Sequence, residues 1–154
     1  MRQGTRSMSV DDNKAIIRRF YAEIDNGNLA ALDELVVEDY VNHAPTPFPG
    51  LAEGREGLKQ AFKIFWDATP GYHKIEDMIA EDDKVVTRMT AYGKHTGDMF
   101  GIRATGNDLE MKAVAIHRVV DGKIVEHWSC KDELGFLRQL GVIQKAEQTG
   151  PPEG

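Results

Sequence analysis

His117-Arg118-Val119-Val120-Asp121-Gly122-Lys123-Ile124-Val125-Glu126-His127-Trp128 reads as one β-hairpin, because arms rich in β-branched residues flank an Asp-Gly pair, a strong short-range turn signal. Two registers suit it. A two-residue turn pairs Val120 with Lys123 and sets His117 opposite Glu126. A three-residue loop with Gly122 in a left-handed bulge position pairs Val119 with Lys123, so that Ala115 faces His127 and Ala113 faces Ser129. In this second register, the expected one, His117, His127 and Ser129 share a face, and Ile116, Trp128 and Cys130 share the other. A slip of one residue would turn every group over.

Working outward, Leu134 to Gly141 reads as a closing helix, with Asp132 and Glu133 ahead of it. Upstream, period-two segments predict strands over Tyr72–Ala80, Val85–Lys94 and Glu110–Val120, the first two joined by a turn at Glu81-Asp82-Asp83-Lys84. Before them the period is helical. Ile16, Ile17, Phe20, Tyr21 and Ile24 define a helix from Asp11, with Asp11 or Asp12 as cap and Gly27 as stop. A second short helix is predicted over Leu29–Val37 and a third over Glu56–Ala68, whose apolar face is Leu58, Ala61, Phe62, Phe65 and Trp66. Tyr40–Leu51, punctuated by Pro45, Pro47, Pro49 and Gly50, reads as an extended loop. Helices first and strands after predict an α+β fold, a curved antiparallel sheet with three N-terminal helices on one face and a short C-terminal helix.

The 154 residues suit one domain, expected over residues 10–145, with a disordered leader over 1–9 and a disordered tail over 146–154. A chain of this size buries roughly 70% of its extended surface, enough for a core around a small cavity. A net charge of -6 with no basic block argues against nucleic acid and anionic membranes as partners. No apolar run approaches the roughly 20 residues of a membrane span. The single cysteine, Cys130, excludes an intrachain disulfide framework and fits a cytoplasmic location. No metal site is expected, since the five histidines form no HxH or HxxxH pair. Gly93, Gly97, Gly101 and Gly106 lack the following helix of a phosphate cradle.

A curved sheet closed by helices leaves a hollow suited to a small hydrophobic ligand. Tyr21, Phe62, Phe65 and Trp66 from the helices, and Tyr92 and Met99 from the sheet and its loops, are its candidate lining, although a stripe at helical spacing is also what any packed helix shows. Asn42 and His43, at the start of the proline-rich loop, are candidates to cover the mouth. On the opposite face of the sheet, Val114, Ile116, Trp128 and Cys130 form an apolar patch that predicts a homodimer through back-to-back sheets.

Several segments together carry a family resemblance: Asn26-Gly27-Asn28, Asp39-Tyr40-Val41-Asn42-His43, Gly54-Arg55-Glu56-Gly57-Leu58, Tyr92-Gly93-Lys94-His95-Thr96-Gly97, the hairpin's second arm, and Arg138-Gln139-Leu140-Gly141. In this order, from about Lys14 to Gly141, they resemble the SnoaL-like polyketide cyclases of the nuclear-transport-factor-2-like superfamily. The resemblance implies a cone-shaped α+β barrel enclosing a pocket. It also implies a cofactor-free aldol cyclisation, in which a base takes a proton α to a carbonyl and a donor protonates the new alkoxide. An aspartate directly after the His127-Trp128 segment would be that base, but Ser129 stands there, and the partner histidine falls at Ala115.

A serine hydroxyl orients or donates but is no base near neutral pH. His127 is therefore the first candidate base, since an unperturbed imidazole titrates near 6.5. His117 is a candidate second acid or base, Ser129 or Tyr21 a hydrogen-bond donor, and Asp132 either a cavity carboxylate or the cap of the closing helix. Two functions remain open: a cofactor-independent cyclase, isomerase or dehydratase, and a non-catalytic binder of an apolar ligand.

Overall fold

Strands β4 (Asp108–Val120) and β5 (Lys123–Lys131) form the expected hairpin, but in neither expected register. Asp121 and Gly122 have φ of 48° and 78°, the two-residue turn whose twist matches that of the strands. Val120 pairs with Lys123 and Val119 with Ile124; then one extra residue enters β5, so that Arg118 pairs with Glu126 and His117 with His127. The physical reason is burial. Ile124, fully buried opposite Val119, and His127, opposite the buried His117, both face the helices, yet they lie three residues apart. A period-two strand brings both to one face only if a bulge absorbs a residue. The same shift sends Glu126 outward, where Arg118 Nη1 donates to it at 2.7 Å. His117, His127 and Ser129 thus share a face because of a bulge in β5 and not because of a three-residue loop.

This computed structural model describes residues 8–44 and 46–144. Of the expected leader only Met8 and Ser9 fall within that range, and the expected tail lies outside it. Ser9, not Asp11 or Asp12, caps helix α1 (Val10–Asp25): its hydroxyl accepts from Asp12 N–H at 3.1 Å while the Asp12 carboxylate accepts from Ser9 N–H at 2.9 Å. The helix stops at Asn26 and Gly27, the latter with φ of 71°. A 3₁₀ turn (Leu29–Ala31) and the one-turn helix α2 (Leu32–Leu35) replace the longer second helix expected there.

The main correction concerns Val36–Asn42, which forms strand β1 and not the end of a helix followed by a loop. It pairs parallel with β5. With β2 (Gly71–Glu81) and β3 (Lys84–Lys94), the sheet runs β1-β5-β4-β3-β2, mixed where an antiparallel sheet was expected. The β-branched pair Val36-Val37 suits a strand, and the added strand covers an edge of β5 that would otherwise present unpaired backbone groups.

Helix α1 packs on β2 and β3, α3 (Gly54–Ala68) on β1, and α4 (Glu133–Gln139) on β4. The helix-facing row of the sheet follows from the register: Val85, Thr87, Met89 and Ala91 on β3, and Val119, His117, Ala115 and Ala113 on β4. Ile124, His127, Ser129 and Lys131 continue it on β5. The main core gathers Ile17, Phe20, Leu32, Val36, Val85 and Ile124, while Ala68, Met99, Leu109, Phe136 and Leu140 form a second cluster. No helix among the described residues is long and apolar enough to cross a membrane.

Candidate active site

Between the concave face of the sheet and helices α1, α3 and α4 lies a cavity of about 180 Å³. Its wall is mainly apolar: Tyr21, Ile24, Phe62, Phe65 and Trp66 from α1 and α3, Met89, Tyr92, Leu109 and Met111 from the sheet, and Phe136 from α4. Trp66 is seated against the end of α1, where a Cβ on Gly27 would lie 3.2 Å from its indole. Tyr92 stacks on Tyr72, ring centroids 5.3 Å apart. Burial raises the Tyr21 hydroxyl well above its ordinary range, with Tyr40 and Asp25 adding to the effect, so it stays protonated. Apart from Thr69, whose hydroxyl donates to Phe65 O at 3.0 Å, and the tyrosine hydroxyls, the polar side chains of this wall are few and fall in two sets.

The first set lies on β5. Asn42, placed beside His127 by the β1–β5 pairing, accepts through Oδ1 from the Ala44 N–H at 3.0 Å, so its oxygen and not its amide nitrogen lies there. That oxygen is 3.0 Å from His127 Nδ1, which must therefore donate. Nε2 is left with its lone pair and no protein partner among the described residues. Burial lowers the His127 imidazole to about 4, with Lys131 and His43 contributing, so it is neutral at physiological pH. Two residues on, the Ser129 hydroxyl is buried with no hydrogen-bond partner. Lys131 completes the row, and burial holds its ammonium below the usual range, opposed by Glu133.

The second set stands across the cavity, where α1 meets β2. Asp25 Oδ1 lies 2.6 Å from His73 Nδ1, and Asp25 Oδ2 accepts from the His73 backbone N–H at 2.9 Å. A carboxylate held twice in this way fixes the ring's orientation and its Nδ1–H tautomer. Both residues line the cavity. Neither was a candidate from sequence, because Asp25 ends a helix and His73 begins a strand with no motif joining them. Lys131 had a readable signal, being next in the alternation that groups His127 with Ser129.

Of the remaining candidates, His117 sits behind the wall, 1% exposed, packed edge-on against Phe20 and Tyr21 and with its ring centroid 4.8 Å from that of His127. Burial, and then the neighbouring His127, push its imidazole well below its ordinary range. It supports His127 and does not reach the cavity. Asp132 caps α4, accepting from Gly135 N–H at 2.9 Å, so the capping account of that residue holds. His43 stacks on Trp128 at 4.7 Å and pairs with Glu126 at 3.1 Å, away from the cavity. Met99 is buried in the second cluster and does not line the cavity either. Among the described residues no three His, Cys, Asp or Glu side chains are grouped to hold a metal ion.

Comparison with known proteins agrees with the geometry. The family model described as SnoaL-like polyketide cyclase matches residues 15–140. The aklanonic acid methyl ester cyclase DauD of Streptomyces sp. (strain C5) is 28% identical over 141 residues, covering 90% of this chain and 84% of its own. The nogalonic acid methyl ester cyclase of Streptomyces nogalater is 29% identical over 119 residues, covering 76% and 88%. Among solved structures, TsrD from Streptomyces laurentii superposes with a TM-score of 0.78 at 28% identity, covering 89% of this chain and 100% of TsrD. With the cone fold, the cavity and a match running from α1 to the last helix, this chain belongs to the SnoaL-like polyketide cyclase family.

Proposed function

We propose that the chain takes a small apolar carbonyl compound into this cavity and transfers a proton on it, with His127 Nε2 as the base. The observation that carries this reading is the Asn42 contact, which fixes the tautomer and leaves a lone pair available at the cavity wall. A neutral imidazole that titrates at about 4 is as weak a base as an aspartate, whose ordinary value is also about 4. His127 can thus stand in for the carboxylate that the family resemblance implies at Ser129. The Ser129 hydroxyl and the Lys131 ammonium are donors for a charged oxygen of the ligand, and the Asp25–His73 pair handles a proton on the opposite side. DauD and the Streptomyces nogalater relative are named for ester cyclisation, which is consistent with carbonyl chemistry here.

The test is deuterium exchange at the α-carbon of 2-tetralone, an apolar bicyclic ketone, followed by NMR. The protein is expected to accelerate exchange, and filling the cavity with Ala113→Trp to abolish the acceleration. The partnerless Ser129 hydroxyl, in place of a carboxylate, favours a second reading, a binding module. Binding of 2-tetralone with no accelerated exchange would select that reading and reject the catalytic one.

The outer face of the sheet is the surface for a second copy. Ile79, Val86, Ile116 and Trp128 form a row across four strands, with Val114 and Cys130 exposed beside it. Back-to-back packing of two such faces buries the row in an isologous interface. Size-exclusion chromatography with light scattering is expected to give a dimer at micromolar concentration, and Val114→Glu a monomer. A monomeric wild-type protein would reject this interface.

A further inference from the structure

We propose that Lys131 and Ser129 form a carboxylate subsite, so that the preferred ligand of the cavity is an apolar acid in place of a neutral ester. The inference rests on the cavity being the ligand site. Lys131 lies on the helix-facing side of β5 and lines a wall that is otherwise largely apolar. Among the described residues it makes no salt bridge and no side-chain hydrogen bond, and Glu133, on the exposed first turn of α4, acts on it only at longer range. Asp25, the carboxylate across the cavity, is already engaged twice by His73.

Two residues along the same face, the Ser129 hydroxyl is buried with its hydrogen-bonding capacity unused. Successive same-face positions on a strand lie about 7 Å apart, a span that the long lysine side chain can close towards the fixed serine hydroxyl around one ligand group. A half-buried ammonium without a counter-ion and a buried hydroxyl without a partner both gain when a ligand satisfies them. A carboxylate does both, accepting a charge-assisted bond from the ammonium and a second bond from the hydroxyl. An ester offers only a neutral carbonyl oxygen and gains much less from the lysine. The relatives named for methyl esters therefore do not set the ligand class of this chain.

The experiment compares 9-anthracenecarboxylate with its methyl ester, two probes of one ring system, by quenching of tryptophan fluorescence near neutral pH. The wild-type protein is expected to bind the acid at least about tenfold more tightly than the ester. Lys131→Met should remove that preference by weakening acid binding alone, and Lys131→Arg should retain it. Ester binding by Lys131→Met doubles as the control for folding. Ser129→Ala should weaken acid binding by a smaller factor. Equal binding of acid and ester by the wild-type protein, or equal loss of both in Lys131→Met, overturns the subsite while leaving the apolar cavity intact. Failure of both probes to bind, or binding of both that survives Ala113→Trp, removes the cavity as the ligand site and the subsite with it.

Discussion

Replacing His127 by glutamine is expected to slow α-deuterium exchange of 2-tetralone by about 10²–10⁴-fold, the usual contribution of a positioned general base, while leaving its binding within a factor of a few. Glutamine keeps much of the imidazole's reach and its contact with Asn42, but it has no lone pair able to take a proton near neutral pH. Asn42→Ala should act on rate and not on affinity, by freeing the ring to adopt the other tautomer. The Asp25–His73 pair supplies the internal control. If Asp25→Asn slows exchange far more than His127→Gln, the base sits on the α1–β2 side of the cavity and the assignment to β5 is wrong.

Acid should destabilise the fold in a window set by two histidines. His127 is lowered to about 4 and His117 well below its ordinary value, whereas both titrate near 6.5 in an unfolded chain. Above that value both states are neutral at these positions and neither contributes. As pH falls below about 6.5 the unfolded chain binds protons that the folded chain refuses, so stability drops, and for His127 the loss continues until the folded state protonates near 4. His127 alone should remove about 2 kcal/mol between neutral pH and pH 5, with His117 adding in the same direction. Asp83, held by Arg118, and Glu126, held first by His43 and then by Arg118, are lowered carboxylates on the outside of the sheet, and their contributions are lost only at lower pH. Urea midpoints across this range measure the effect. His127→Gln should flatten the curve between pH 6.5 and 5, and an unchanged slope would mean that His127 is solvated and not buried in the wall.

The hairpin, three of the helices and the strands β2 to β5 could be read from periodicity, because each carries an apolar face at its own spacing. Strand β1 could not. It lies at an edge, its burial does not alternate, and the proline-rich loop after Asn42 masks its end. Without β1 the sequence places Asn42 in a covering loop, whereas the strand makes it the residue that orients His127. The bulge in β5 was equally invisible, since the turn residues specify the first pairs of a hairpin but not a residue inserted two positions later.

The composition of the cavity was legible in part for the same reasons. Tyr21, Phe62, Phe65 and Trp66 line it as a helix face predicts, whereas Tyr92 borders it although it belongs to the opposite row of β3 from Met89 and Ala91. His43 and Met99 were assigned by their loops, and loops carry no period to aim a side chain. Asp25 and His73 come together only because α1 crosses β2, a packing contact between elements separated by more than forty residues.

Long-range proton–nitrogen NMR of the histidine rings tests the convergence of groups on one cavity most directly. On addition of 2-tetralone, the Nε2 resonances of His127 and His73 should shift while His127 stays protonated at Nδ1, and the rings of His43 and His95 should not move. Shifts confined to His43, or a His127 ring protonated at Nε2, would contradict the account.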